Sequence, residues 1–190
     1  MKNRLTKAAL ALTLLSIPAL SMADEYNSLF GIEGGYSNIN VETAGAGSVK
    51  IQKNGFGNVG LKLGAESENF RIFLSARYYD AKDFNKLNTI GGEFQYKFNF
   101  TKRANFFLGA NAGKAYMKVA TNGTQPSVDT STGYLGADAG FNIHATELID
   151  LEVGARYMSL DKKVTQGAYT YDFSSLTTAY ASIILKWQMD

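Results

Sequence analysis

The chain has 190 residues, with 12 phenylalanines, 11 tyrosines, one tryptophan, 19 glycines and no cysteine. Without its first 23 residues it carries 16 basic and 17 acidic residues, so the formal charge of +2 comes from that segment. This balance excludes a basic nucleic-acid-binding surface, and the lack of cysteine excludes disulfides, thiolate metal sites and cysteine nucleophiles. The length fits one domain, and no later stretch is long and apolar enough to predict a transmembrane helix.

The beginning of the chain predicts a secretory signal peptide. Three basic residues precede a short apolar segment over residues 8–15, and small residues over 21–23 form a cleavage site. We therefore predict that residues 1–23 are removed and that residues 24–190 form one exported domain.

The exported part alternates between apolar and polar residues in eight separate segments, as expected for β-strands with one apolar face. The fourth segment, for example, places Phe94, Tyr96 and Phe98 opposite Glu93 and Lys97. The predicted strands are 29–37, 55–66, 70–79, 90–100, 106–119, 134–145, 149–160 and 176–187.

The two predicted strand faces differ sharply in charge. The apolar face carries no charged residue, whereas twelve lie on the opposite face: Glu33, Lys62, Glu66, Arg71, Arg77, Glu93, Lys97, Asp138, Asp150, Glu152, Arg156 and Lys186. A soluble barrel and a membrane barrel have the same alternation, so this pattern alone does not decide between them.

The lengths of the predicted connections favour the membrane barrel, because they alternate along the chain as extracellular loops and periplasmic turns do. Glycines on the polar face also suit a crowded, narrow lumen.

We predict an all-β fold, an eight-stranded antiparallel up-and-down transmembrane β-barrel with both termini in the periplasm. The long connections are 38–54, 80–89, 120–133 and 161–175, and the short ones are 67–69, 101–105 and 146–148. In the fifth strand Lys114 breaks the alternation, which predicts either a bulge near Gly113 or an early exit from the membrane.

Aromatic residues cluster near the ends of the predicted strands, as expected for the two interfacial girdles of a membrane barrel. The periplasmic girdle is predicted to contain Phe30, Phe70, Phe98, Phe100, Phe106, Phe141 and Trp187. The extracellular girdle is predicted to contain Tyr36, Tyr78 and Tyr157.

The signal segment, the eight strands and the closing stretch over 179–187 resemble the small outer-membrane β-barrel family, which includes the OmpA-like transmembrane domain and OmpX-like and opacity-type proteins. The resemblance implies a bacterial outer-membrane location, contact with membrane lipid and lipopolysaccharide, and insertion by the barrel-assembly machinery. Family members usually end on an aromatic residue, whereas here three residues follow Trp187. A closed barrel has no edge that requires a partner, so we expect a monomer.

The predicted interior charges are balanced, and buried charges must be paired. We therefore predict a salt-bridged network that plugs the lumen, an arrangement similar to that of OmpA-like barrels; the alternative is a gated ion path through rearranged pairs. The predicted members are Glu33, Lys62, Arg71, Arg77, Glu93, Lys97, Asp138, Glu152, Arg156 and Lys186. Among them, Glu33, Arg77, Glu93, Arg156 and Lys186 are expected at the centre.

The sequence contains no pattern typical of a cofactor or metal site, so none is predicted. The single histidine, His144, is expected at the periplasmic rim rather than in a catalytic triad. The predicted loops 38–54, 120–133 and 161–175 are candidates for binding an extracellular partner. Tyr169, Tyr171 and Phe173 suit either such binding or packing over the barrel mouth.

These features favour a non-enzymatic surface scaffold. A small porin-like channel is the main alternative, followed by an outer-membrane lipid-modifying enzyme that uses His144. A soluble periplasmic carrier with the same strand pattern remains a further alternative.

Overall fold

A computed structural model describes residues 26–45, 50–52, 54–121 and 125–188. The predicted signal peptide lies outside the described residues. Eight strands follow one another along the chain: β1 (Asn27–Ala44), β2 (Phe56–Glu66), β3 (Phe70–Tyr79), β4 (Phe84–Thr101), β5 (Ala104–Val119), β6 (Val128–His144), β7 (Ile149–Gln166) and β8 (Tyr169–Gln188).

The strands form one closed barrel in which every neighbouring pair is antiparallel and the order in the sheet is the order in the chain. The first and last strands close the ring, from Asn27 opposite Gln188 to Ala44 opposite Thr170. The predicted eight-stranded up-and-down barrel is therefore confirmed. Within the described ranges, no helix is long and apolar enough to span a membrane.

Most strands are longer than predicted, and the long connections are correspondingly shorter. β1 continues to Ala44, β4 begins at Phe84, and β6 begins at Val128. The predicted loop 161–175 is instead a strand hairpin with a turn at Gly167 and Ala168. Gly167 has a φ of +61°, which suits the first turn position of a two-residue hairpin. The predicted long loops at 38–54, 80–89, 120–133 and 161–175 were therefore wrong in extent.

Of the two alternatives predicted at Lys114, the bulge near Gly113 was wrong, because β5 pairs without interruption around Lys114 on both sides. The early exit from the membrane stays a prediction. The irregularities lie elsewhere. The β4–β5 register shifts at Asn85, and the register of β8 shifts at Ser174 against β1.

The interior and exterior of the barrel exchange polarity along its length. We call the half with the chain ends and the turns 67–69, 102–103 and 145–148 the lower barrel, and the half beyond the exterior tyrosines the upper barrel. β1 illustrates the exchange: in the lower barrel Ile32 is exposed and Glu33 buried, whereas in the upper barrel Asn40 is exposed and Ile39 and Val41 are buried.

The exterior of the lower barrel is apolar. Of the predicted girdle residues, seven are exposed: Phe98, Phe100, Phe141, Trp187, Tyr36, Tyr78 and Tyr157. Phe30, Phe70 and Phe106 are half-buried on the same face, and Phe106 packs against Phe98 and Phe141 with ring centroids 6.0 and 5.4 Å apart. Tyr116 belongs to the upper row of exposed tyrosines as well. The sequence prediction missed it because Lys114 had suggested a break in the strand.

The interior of the upper barrel is an ordinary hydrophobic core. Among the described residues, eighteen buried side chains form one cluster there. β2 and β3 contribute only their end residues Phe56 and Tyr79, whereas the other strands extend further above the tyrosine level. On the side of the shorter β2 and β3, Ile51 packs into the cluster from the connection that follows β1. Reciprocal hydrogen bonds between the backbones and side chains of Gln52 and Asp83 hold that connection.

Candidate functional site: the charged interior of the lower barrel

Glu33 lies at the centre of the charged interior and accepts forked hydrogen bonds from two arginines. Arg77 donates from Nε to Oε1 at 2.8 Å and from Nη2 to Oε2 at 3.1 Å. Arg156 donates from Nη1 to Oε1 at 2.9 Å and from Nη2 to Oε2 at 3.2 Å. Two forked guanidinium–carboxylate pairs fix both the position and the orientation of Glu33.

Two further acids complete this central cluster. Glu93 accepts a hydrogen bond from each of the same two arginines, through Oε1 from Arg77 and through Oε2 from Arg156 at 3.3 Å. Lys62 Nζ lies 2.9 Å from Glu33 Oε2 and 2.8 Å from Glu152 Oε1. Three bases and three acids thus neutralise one another in the middle of the lower barrel.

A second set of pairs extends the network towards the chain ends. Arg71 Nη1 lies 3.3 Å from Glu152 Oε2 and its Nε lies 3.7 Å from Glu66 Oε2, while Lys97 Nζ is 3.0 Å from the same Glu66 oxygen. Lys186 Nζ is 4.0 Å from Glu66 Oε1. Ion pairs therefore connect the central cluster to the lower end of the barrel.

The structure places two predicted members differently from the expectation. Lys186, expected at the centre, lies at the lower rim and pairs with Asp150 at 3.2 Å. Its position near the end of β8 puts it at the level of the first turns. Among the described residues no base lies within ion-pair distance of Asp138, which accepts hydrogen bonds from Gln95 at 3.0 Å and Asn111 at 3.3 Å instead.

Aromatic and glycine residues shape the space around these charges. The Tyr180 ring lies between two cations, with Lys62 Nζ 4.6 Å and Arg156 Cζ 4.4 Å from its centroid. A Cβ at Gly60 would lie 2.8 Å from Cγ of Arg77, which is too close for any side chain. Gly60 therefore provides the room in which the Arg77 stem crosses the lumen.

Several amide side chains line the wall formed by β4, β5 and β6. The side-chain oxygens of Gln95, Asn105, Asn111 and Asn142 are buried and accept no hydrogen bond from the described protein atoms. Such oxygens bind water when there is space for it. The sequence did not predict this wall, because uncharged amides do not stand out on the polar face of the strands.

His144 lies at the lower rim, with its side chain 23% exposed. Its Nδ1 is 2.7 Å from Asp150 Oδ1 and 3.4 Å from Lys186 Nζ, and its Nε2 is 3.3 Å from Asn105 Nδ2. These partners hold the ring in place but include no serine hydroxyl. The geometry is that of a rim contact rather than of a nucleophile activated by histidine.

The aromatic residues of the predicted loop 161–175 face the interior of the upper barrel. Tyr171 and Phe173 are fully buried, and Phe173 packs against Phe84 with ring centroids 6.4 Å apart. The Tyr171 hydroxyl donates to the Pro126 carbonyl at 2.8 Å, and burial raises the pKa of this phenol. The sequence left open whether these aromatic residues bind a partner or pack over the barrel mouth. Tyr171 and Phe173 pack inside the mouth, and Tyr169 packs against the hydrophobic cluster of the upper barrel.

An ion pair lies on the outer face of the β7–β8 hairpin. Lys163 Nζ lies 2.9 Å from Asp172 Oδ2, and the hydrogen bond to this carboxylate raises the pKa of Lys163. The pair is exposed to water, so it contributes little to stability. It marks the exterior of the upper barrel as a solvated surface.

Comparison with known proteins agrees with this architecture. The sequence model of the outer membrane protein beta-barrel domain matches residues 8–181. No curated protein sequence matches the chain significantly.

Solved barrels have the same fold. The structure is similar to Neisserial surface protein A, with 16% identity, a TM-score of 0.64, and coverage of 85% of this chain and 97% of that one. It is also similar to the N-terminal β-barrel domain of Pseudomonas aeruginosa OprF, with 11% identity, a TM-score of 0.55, and coverage of 84% and 97%. For P. aeruginosa outer membrane protein H the identity is 18%, the TM-score 0.54, and the coverage 87% and 100%.

Proposed function

Because the chain belongs to the family of outer membrane protein β-barrel domains, we propose that it is a closed scaffold of the bacterial outer membrane that presents its upper rim to the outside of the cell. The lower barrel, with its apolar exterior, lies in the lipid. The upper barrel projects beyond the lipopolysaccharide headgroups. Both chain termini then face the periplasm, where the short turns lie.

The observation that supports this proposal is that the lumen contains paired charges in the lower barrel and an apolar cluster in the upper barrel. The lower interior contains paired charges, from Glu93 at one end to Lys186 at the other. The upper interior contains the apolar cluster around Leu87, Met117 and Leu176, each almost fully buried. An ion that entered from below would have to displace salt bridges and then cross an apolar core.

The interaction surface of such a scaffold is smaller than the sequence predicted. Among the described residues, the upper rim consists of residues 45, 50–52, 54–55, 80–83, 120–121, 125–127, 167–168 and the strand ends beside them. A partner would bind at this rim.

The test is single-channel conductance of the refolded protein in planar bilayers, with insertion confirmed by flotation of the same protein in liposomes. We expect no discrete conductance steps from inserted barrels. Reproducible steps would contradict the closed scaffold and favour a small porin-like channel. The buried amide oxygens of the β4–β6 wall, which accept no hydrogen bond from the described protein atoms, favour this second candidate. Exchanging the charges of Glu93 and Arg156 would then alter its ion selectivity.

The scaffold acts without enzymatic chemistry. The rim contacts of His144 support this part of the proposal, because they provide no nucleophile beside the imidazole. We expect His144→Ala to leave every lipid A modification in the producing cell unchanged. A modification lost with the imidazole would instead establish a lipid-modifying activity.

A further inference from the structure

The exterior of the barrel carries a groove of about 590 Å³ that is separate from the charged interior. It crosses β1 to β5 just below the level of the exposed tyrosines. Ala76 lines it with a small exposed side chain, between the larger Leu74 and Tyr78 on the same face of β3. The groove is apolar along most of its length, with side chains of Ile32, Val59, Leu61, Ala76 and Ile90.

One end of this groove is cationic. Lys86, Asn88 and Tyr116 line it there, and Lys114 approaches the same tyrosine from β5. The ammonium groups of Lys86 and Lys114 lie 5.5 and 5.2 Å from the centroid of the Tyr116 ring. Both lysines are exposed on the outer face of the barrel.

The two lysines have no acidic partner in the part of the chain that the structure describes: no carboxylate lies within 4.0 Å of either ammonium group. The nearby Asp83 instead accepts a hydrogen bond from the Gln52 backbone. Two cations that share one ring repel each other, and an anion between them would remove that repulsion. The bulge at Asn85 contributes to this arrangement, since it turns Lys86 outward beside Asn85 while Phe84 and Leu87 point inward.

We propose that this groove binds a phosphorylated glycolipid of the outer leaflet. Its headgroup phosphate lies between Lys86 and Lys114, and one acyl chain occupies the apolar groove over Ala76. The volume suits a lipid chain, since ligand pockets measure roughly 300–1,000 Å³. The inference rests on the proposed membrane placement of the lower barrel, but it is independent of whether the lumen conducts.

The experiment measures retained lipid by native mass spectrometry of the refolded full chain, in micelles to which lipid A is added. Phosphatidylcholine of similar chain length and inorganic phosphate are added in parallel. We expect one retained lipid A per barrel and no retention of phosphatidylcholine. K86Q/K114Q should weaken lipid A binding roughly thirtyfold, because each lysine near a lipid surface contributes a factor of about five to six and the two factors multiply. The control K102Q/R103Q removes two exposed charges from the turn between β4 and β5, at the opposite end of the barrel, and should bind as the unaltered chain does.

A second variant tests the acyl chain separately. Ala76→Phe fills the groove without changing the charge, and we expect a several-fold loss of lipid A binding. Equal losses in K102Q/R103Q would overturn the site in favour of general electrostatic attraction. Unchanged lipid A binding by Ala76→Phe would contradict the placement of an acyl chain in the groove. Equally tight binding of inorganic phosphate would contradict the assignment of the ligand as a lipid. Conductance by a barrel that still binds lipid A here would contradict the closed scaffold alone.

Discussion

The lower and upper halves of the barrel use the same strands but opposite arrangements of polarity. In the lower half Glu33 is buried and Ile32 exposed, whereas in the upper half Val41 is buried and Glu42 exposed, all on β1. The lower interior is held by charge pairs and the upper interior by apolar packing. The outer face of a single β-sheet can therefore suit lipid in one segment and water in the next. Only the polarity of the side chains changes between the two segments.

This difference determines how each half responds to mutation. Buried charges depend on their partners, because removing one member of a pair leaves the other uncompensated in a medium that solvates it poorly. An apolar core depends on volume, because a truncated side chain leaves a cavity. The outer surfaces of the two halves differ too. A charged side chain that faces lipid lowers the stability of the barrel, whereas one that faces water has little effect on it.

The largest effect is expected for Glu33→Ala in the central cluster. This change leaves Arg77, Arg156 and Lys62 short of one carboxylate, and breaking a buried pair costs about 3–5 kcal/mol. Urea unfolding of the protein in lipid vesicles measures the loss. Glu42→Ala, on the same strand but exposed, should change stability by less than about 0.5 kcal/mol. Similar losses for the two would remove the distinction between the halves.

A comparable but purely steric effect is expected in the upper core. Leu176 is fully buried there, and Leu176→Ala should cost about 2–5 kcal/mol through lost burial and the cavity left behind. The exposed neighbour gives the control, since Thr177→Ala should have little effect. If Leu176→Ala were neutral in the same unfolding assay, the upper interior would not be a packed core.

The exterior provides a third comparison along a single strand. Val153 and Thr165 lie on the same outer face of β7, the first in the lower and the second in the upper barrel. Val153→Arg should cost about 2–4 kcal/mol, the range for a charge facing the middle of the bilayer. Thr165→Arg should be nearly neutral. Equal costs in vesicle unfolding would place both positions in the same environment.

The smallest effect concerns pH. Burial raises the pKa of Tyr171 in the folded barrel, so the folded state keeps this phenol neutral at a pH where the unfolded chain ionises it. Its contribution to stability is complete below the unfolded pKa of about 10 and is lost as the pH rises through the folded value. Tyr171→Phe should therefore lose less stability than the unaltered chain between neutral and strongly alkaline pH. Identical alkaline profiles would show that the hydroxyl is not buried.

The sequence predicts the number of strands well because period-two alternation is a strong local signal. It predicts their lengths poorly because the polarity exchange looks like the end of a strand. On β1 the apolar positions change from even to odd numbers between Tyr36 and Ile39, although pairing continues. Bulges at Asn85 and Ser174 add a second shift of phase on β4 and β8.

The interior network shows a similar limit. Alternation predicts which face of a strand each charge occupies, but its partner depends on how the strands are staggered around the ring. Glu33 and Arg156 are 123 residues apart and meet across the lumen. Lys186 was expected at the centre, yet its place near the end of β8 puts it at the rim, and Asp138 has amide rather than cationic partners. Neither the height of Lys186 in the barrel nor the partners of Asp138 can be predicted from the sequence of one strand.

The most direct test of the central claim, that the two halves face different solvents, is fluorescence quenching from single cysteines. The chain contains no cysteine, so a dye can be attached at Val153→Cys or Thr165→Cys alone. In vesicles, we expect bromine-labelled lipid to quench the label at 153 and aqueous iodide to quench the label at 165. A label at 165 quenched by the lipid, or a label at 153 quenched by iodide, would contradict the exchange of polarity along the barrel.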